Sequence, residues 1–141
     1  MGRPRPAPST ATVIDAILRR LAVVERRSRD VLTPAQLGAA VTNTSTSMLS
    51  THTVLVNPVG PTITWWVKVT LSGGATAADL QLIDSDGNVS PVTTATSAGV
   101  WPVTLPVADD WPIGTDRLVD LRNRVVPSGT ISVLPVRAIV A

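Results

Sequence analysis

Cysteine, phenylalanine and tyrosine are absent from this 141-residue sequence, and histidine, glutamate and lysine each occur once. Without cysteine there is no disulfide framework and no thiolate metal site. Without Phe and Tyr, a core must be built from Val, Leu, Ile and the four tryptophans, Trp65, Trp66, Trp101 and Trp111. Branched aliphatics favour strands. Apolar runs are only a few residues long, so no segment reads as a bilayer span. No signal peptide is read either, because the apolar stretch after Arg3 and Arg5 is broken by Asp15, Arg19 and Arg20. The reading is of a soluble chain.

The scarcity of titratable groups also bears on chemistry. His52 stands between Thr51 and Thr53 with no carboxylate nearby, which suits a surface or structural role better than a base or a ligand. Glu25 is committed to a helix. No nucleophile elbow and no glycine-rich phosphate loop is present. Asp84-Ser85-Asp86-Gly87-Asn88 resembles the start of a calcium loop but lacks the distal bidentate glutamate. Asp-Gly and Gly-Asn are ordinary hairpin residues, so the stretch reads as a turn. Asp109-Asp110-Trp111 reads as a solvated acidic loop with the indole folded over it. The sequence therefore points away from an enzyme, with no cofactor and no metal.

Charge is unevenly spread. Residues 1–32 carry seven arginines against Asp15, Glu25 and Asp30, a net +4, while residues 33–141 carry five basic and seven acidic residues, a net −2. Residues 1–10 hold three prolines and no apolar period, and read as an extended anchor tail. Gly2-Arg3-Pro4 matches the core of a minor-groove AT-hook but lacks flanking basic clusters. A docking arm is the better reading, with nucleic acid not expected as a partner.

Residues 11–32 follow as a helix capped by Ser9 or Thr10. Ile14, Ile17, Leu21, Val24 and Val31 alternate between a and d of a heptad, with Ser28 at one polar a position. That is the narrow seam of a coiled coil. Leu18 and Val13 widen it somewhat, as they would on a helix folded back onto a globular core. Arg20 at g and Glu25 at e can pair between neighbouring helices, and Ile at both a and d shifts preference away from dimers. Residues 33–49 read as a linker with a helical turn over 35–41 and a polar stretch over 42–50.

From residue 50 to 141 the period changes to two. Ile63, Trp65, Val67, Val69 and Leu71 alternate with Thr62, Thr64, Trp66, Lys68 and Thr70. Six further strands are read at 51–56, 80–83, 89–94, 100–107, 118–125 and 130–140, parted by turn residues such as Ser72-Gly73-Gly74 and Pro127-Ser128-Gly129. Seven short strands make an antiparallel β-sandwich of immunoglobulin or jelly-roll type. Pro91, Pro102, Pro106 and Pro135 fall inside strand-like runs and mark edges or bulges. Trp65 belongs to the core face. Trp66, on the opposite face, and Trp111, beside a proline, are candidate ligand contacts, since an exposed indole on a sandwich can stack on a sugar ring.

Arg20-Leu21-Ala22-Val23-Val24-Glu25 resembles the short trimerisation motif of parallel coiled coils: arginine, apolar residue, two free positions, apolar residue, glutamate. A proline-arginine tail, that helix and a Thr/Val-rich sandwich together resemble a minor tail or fibre component of an actinobacterial bacteriophage virion. The strong Arg bias over Lys adds a GC-rich host. The resemblance implies a homotrimer that docks through its N-terminus to other virion proteins and turns the sandwich outward. A host cell-surface glycan would then be a candidate partner. A carbohydrate-binding module and a capsid decoration protein are the alternatives.

Overall fold

The computed structural model describes residues 10–28, 37–58, 60–112 and 114–140, with helix side chains described for residues 10–20. Two compact units divide the chain, residues 1–30 and residues 31–141. The first contains α1 (Thr10–Ser28), 19 residues or roughly 28 Å of helix. Thr10 is its first residue, while Ser9, the other cap candidate, lies outside the described residues.

The second unit is a sandwich of two four-stranded antiparallel sheets. Its strands are β1 (Val41–Asn43), β2 (Leu49–Val56), β3 (Thr62–Ser72), β4 (Ala77–Asp84), β5 (Thr93–Ala95), β6 (Gly99–Pro106), β7 (Arg117–Val126) and β8 (Thr130–Val140). The first sheet runs β1-β8-β3-β6 and the second β2-β7-β4-β5.

Period-two alternation fixes which side chains meet between the sheets. Ile63, Trp65, Val67 and Val69 of β3, Val103 and Leu105 of β6, and Ile131 and Val133 of β8 line one inner face. Val54 and Val56 of β2, Leu80 and Leu82 of β4, and Val119, Leu121 and Val125 of β7 line the other. Trp65 is fully buried and its Nε1 has no hydrogen-bond partner among the described residues. The mass of the indole, 150–250 Å² of buried surface for a typical aromatic, outweighs about 1–3 kcal/mol for an unmet donor.

The prolines fall where a ladder can spare a donor. Pro102 and Pro106 lie on β6, an edge strand. Pro135 sits at a bulge, where Trp66 pairs with Arg137 but the next residue, Val67, pairs with Pro135. The bulge re-phases β8: Ile131, Val133 and Pro135 face inward before it, Ala138 and Val140 after it. Pro91 lies between β4 and β5 and in no strand.

The stretch read as a linker corrects the expectation. Val41–Asn43 forms β1, paired with Val133–Ile131 of β8, and β2 begins at Leu49 inside the stretch read as polar linker. Of the helical turn expected over 35–41, Leu37 is helical and buried, and the chain is extended by Val41. Three residues of strand carry too little apolar pattern to stand out from a run of Thr, Asn and Ser. They hold because both flanks of the sandwich are stitched across its sheets. On one flank Asn43 Nδ2 donates to the carbonyl of Asn123 on β7, and Val125 N–H donates to Ser45 O. On the other, Thr93 Oγ1 of β5 donates to the Pro102 carbonyl of β6 at 3.0 Å.

Candidate functional site

The helix carries an exposed apolar stripe. Val13, Ile14, Ile17 and Leu18 are 47–56% exposed, although they are its most apolar described side chains. Positions i, i+1, i+4 and i+5 fall on one side of an α-helix. Arg20 is exposed in the next turn. Leu21, Val24 and Glu25 lie within α1, with side chains outside what is described, and Val31 lies outside the described residues.

His52 is locked into a structural network. Its Nε2 bonds the Ala39 carbonyl at 2.6 Å and its Nδ1 bonds Thr51 Oγ1 at 2.9 Å. A carbonyl can only accept, so Nε2 carries the proton. Thr51 Oγ1 in turn accepts from Asn123 Nδ2 at 2.8 Å. The ring is buried, with neither nitrogen free to act on a ligand.

The acidic turn closes on itself. Asp84 Oδ1 accepts from the backbone N–H of Asp86 and of Asn88, both at 2.9 Å, and Oδ2 accepts from Asn88 Nδ2 at 2.8 Å. Arg117 reaches the same Oδ2 at 3.4 Å, Asp86 Oδ2 at 2.8 Å and Asp110 Oδ1 at 3.7 Å. Burial opposes the charge on Asp84. The bonds from Asn88 and Asp86 and the nearby Arg117 outweigh it and hold the carboxyl below its ordinary 3.8. Donors fill the positions a cation would need, so the loop is a turn. Among the described residues no group of three His, Cys, Asp or Glu is placed to hold a metal ion.

Trp111 belongs to that same cap, which corrects its assignment as a ligand contact. It is 3% exposed, its Nε1 donates to Thr115 O at 2.7 Å, and the Arg117 guanidinium lies 5.0 Å from the ring centre. A neighbouring cation over the face and a satisfied N–H leave nothing for a sugar to stack on. Trp101 is inward-phased on β6 and donates to Ser97 O.

Trp66 alone stands on an outer face. It is half-buried in the middle of β3, directly opposite Pro102 on one side and Arg137 on the other. Around it the outer face of the first sheet carries Thr64, bonded to Thr104 at 2.9 Å, and exposed Lys68 and Thr70. Lys68, Thr70, Ser132, Leu134 and Ala40 line an open concavity of about 140 Å³. Sequence reasoning placed Trp66 and Lys68 on this face from the β3 alternation. It missed Arg137, because the bulge at Pro135 shifts the phase of β8.

No family model matches the chain, and no curated protein matches it. Among solved structures the chain is similar to one described as "Family 16 Carbohydrate Binding Module-2", at 9% identity and a TM-score of 0.44, over 76% of this chain and 82% of that one. At that TM-score nothing about this chain's ligand rests on the likeness. Among the described residues no helix is long and apolar enough to cross a membrane.

Proposed function

We propose that the chain is a non-enzymatic structural module that self-associates through α1 as a homotrimer and displays its sandwich outward. The observation that carries this reading is the helix stripe: Val13, Ile14, Ile17 and Leu18 remain about half exposed. An isolated helix of this length is marginal in water, and such a stripe is stabilised by burial against copies of itself. The trimer is favoured by Ile at successive a and d positions and by the Arg20–Glu25 pairing the heptad places at g and e. The absence of catalysis is supported by how the polar groups are spent, His52 and Asp84 each holding backbone in place. The setting we propose is a bacteriophage tail or fibre, with the N-terminal segment docking to the virion. Its support is the combination of short trimerising helix and Thr/Val-rich sandwich.

The test is mass in solution, by light scattering after size exclusion or by sedimentation across a concentration series. Three times the chain mass is expected, with Ile17→Asp giving a monomer. A wild-type monomer at high micromolar concentration would refute the proposal.

A second reading, a carbohydrate-binding module, is favoured by Trp66, a partly buried indole amid hydroxyls on the outer face of the first sheet. The two readings are compatible, since display of a binding face is what a trimer would multiply.

A further inference from the structure

The sandwich segregates its charge. Its seven acidic residues are Asp79, Asp84, Asp86, Asp109, Asp110, Asp116 and Asp120. Asp79, Asp84 and Asp120 lie on strands of the second sheet, and Asp86 lies in the turn after β4. Asp109, Asp110 and Asp116 lie in the connection between β6 and β7. None lies on β1, β8, β3 or β6, so the first sheet has no acid at all. That sheet has two cations, Lys68 and Arg137, and neither forms an ion pair among the described residues. On the second sheet Arg124 bonds Asp79 at 2.8 Å and Arg117 bonds Asp84, and Arg122, which has no ion pair among the described residues, shares its strand face with Asp120 two residues away.

Both cations of the first sheet flank Trp66. Arg137 is its direct cross-strand partner, and Lys68 follows two residues on along the same face, roughly 7 Å away. The acidic β6–β7 connection leaves the sheet at Pro106, opposite Thr62. That is six residues from Lys68, roughly 20 Å along the strand. A stacking surface, two uncompensated positive charges and a border of hydroxyls from Thr64, Thr104, Thr70 and Ser132 share one acid-free face.

We infer that this face binds an acidic polysaccharide, one whose sugar rings carry carboxylate or sulfate groups. A sugar ring stacks on Trp66, its anionic groups pair with Arg137 and Lys68, and its hydroxyls meet the threonines and Ser132. The inference rests on the glycan reading above and narrows it to charged glycans. Single-stranded nucleic acid is the less suitable anion, because its binders stack successive bases on several aromatics. Here Trp65, Trp101 and Trp111 all face inward or are buried.

The experiment titrates the full chain with polygalacturonate, hyaluronan and heparin as acidic probes, dextran and a mannan as neutral ones, and an oligothymidylate. Tryptophan fluorescence is read at low and high salt, with Trp66→Leu as the control for signal origin. Acidic glycans should bind, with affinity falling as salt rises. The Lys68→Gln/Arg137→Gln pair should weaken binding by roughly three- to tenfold at low salt, with an unchanged melting temperature. Equal binding of neutral glycans, with no effect of the double variant, overturns the acidic class and leaves the glycan reading standing. No binding by any glycan refutes both. Tighter binding of the oligothymidylate than of every glycan overturns the inference in favour of nucleic acid.

Discussion

Asn43 Nδ2 on β1 donates to Asn123 Oδ1 on β7 at 2.7 Å, a buried amide pair that joins the edge of one sheet to the middle of the other. The same Nδ2 donates to the Asn123 carbonyl at 3.0 Å, and Asn43 Oδ1 accepts from Ser45 N–H at 2.8 Å. Asn123 is fully buried on the inward phase of β7, where the apolar pattern would place another Val. A satisfied buried network specifies one arrangement, whereas a broken one leaves unmet donors and acceptors. Asn123→Ala should therefore destabilise the sandwich by about 2–3 kcal/mol, read by urea denaturation followed by tryptophan fluorescence. A loss below about 0.5 kcal/mol would mean that water replaces the pair at no cost.

Asp84 makes stability depend on acid. Its carboxyl is held below the ordinary 3.8, so it binds a proton less readily folded than unfolded. The stability it contributes is present above the unfolded value and is lost as pH falls through the folded one. Wild type should lose stability from about pH 4 downward. Asp84→Asn should be less stable at neutral pH and should show a shallower acid limb. An acid limb of unchanged steepness in the variant would assign the acid sensitivity to other carboxylates.

How far the sequence disclosed this depends on which physical signal each residue carries. β3 was legible up to its last residue because Thr62 to Leu71 alternate without interruption, while Ser72, read as part of the turn, closes the strand. The inward-phased polar residues of β7, Arg117 and Asn123, were equally open to that logic. Each breaks an apolar alternation, and each proves to organise a cap or a seam. β1 was hidden because a three-residue strand has no periodicity to read. Arg137 was hidden because a bulge changes phase without changing composition. Trp111 was misplaced because its burial depends on Arg117 folding over it, a contact between the β6–β7 connection and the first residue of β7.

All four tryptophans lie in the sandwich, so their fluorescence reports that unit, while far-ultraviolet circular dichroism also registers α1. If self-association stabilises the helix, its content should rise with protein concentration while the tryptophan signal stays fixed. Ile17→Asp should abolish the concentration dependence and lower the helical signal, leaving the tryptophan unfolding midpoint within experimental error. Helical content independent of concentration, with the variant unchanged, would remove the role assigned to the stripe.

Two turn glycines separate conformational strain from steric exclusion. Gly129 precedes β8 at φ +117°, and a Cβ there would meet Gly73 O at 2.6 Å and both Ala75 N and Ser72 O at 2.7 Å. All three are backbone atoms of the facing turn, so relief requires the two turns to move apart. Gly87 in the Asp84 turn has φ +88°, and a Cβ there would meet nothing within 4 Å. Its substitution incurs the left-handed backbone penalty alone, about 1–2 kcal/mol. Gly87→Ala should therefore fold with a modestly lower midpoint. Gly129→Ala should cost more than about 3 kcal/mol, because overpacking against backbone adds to the same strain. Equal losses in the two variants, measured by urea denaturation under one condition, would show that the turns facing each other at Gly73 and Gly129 can separate freely.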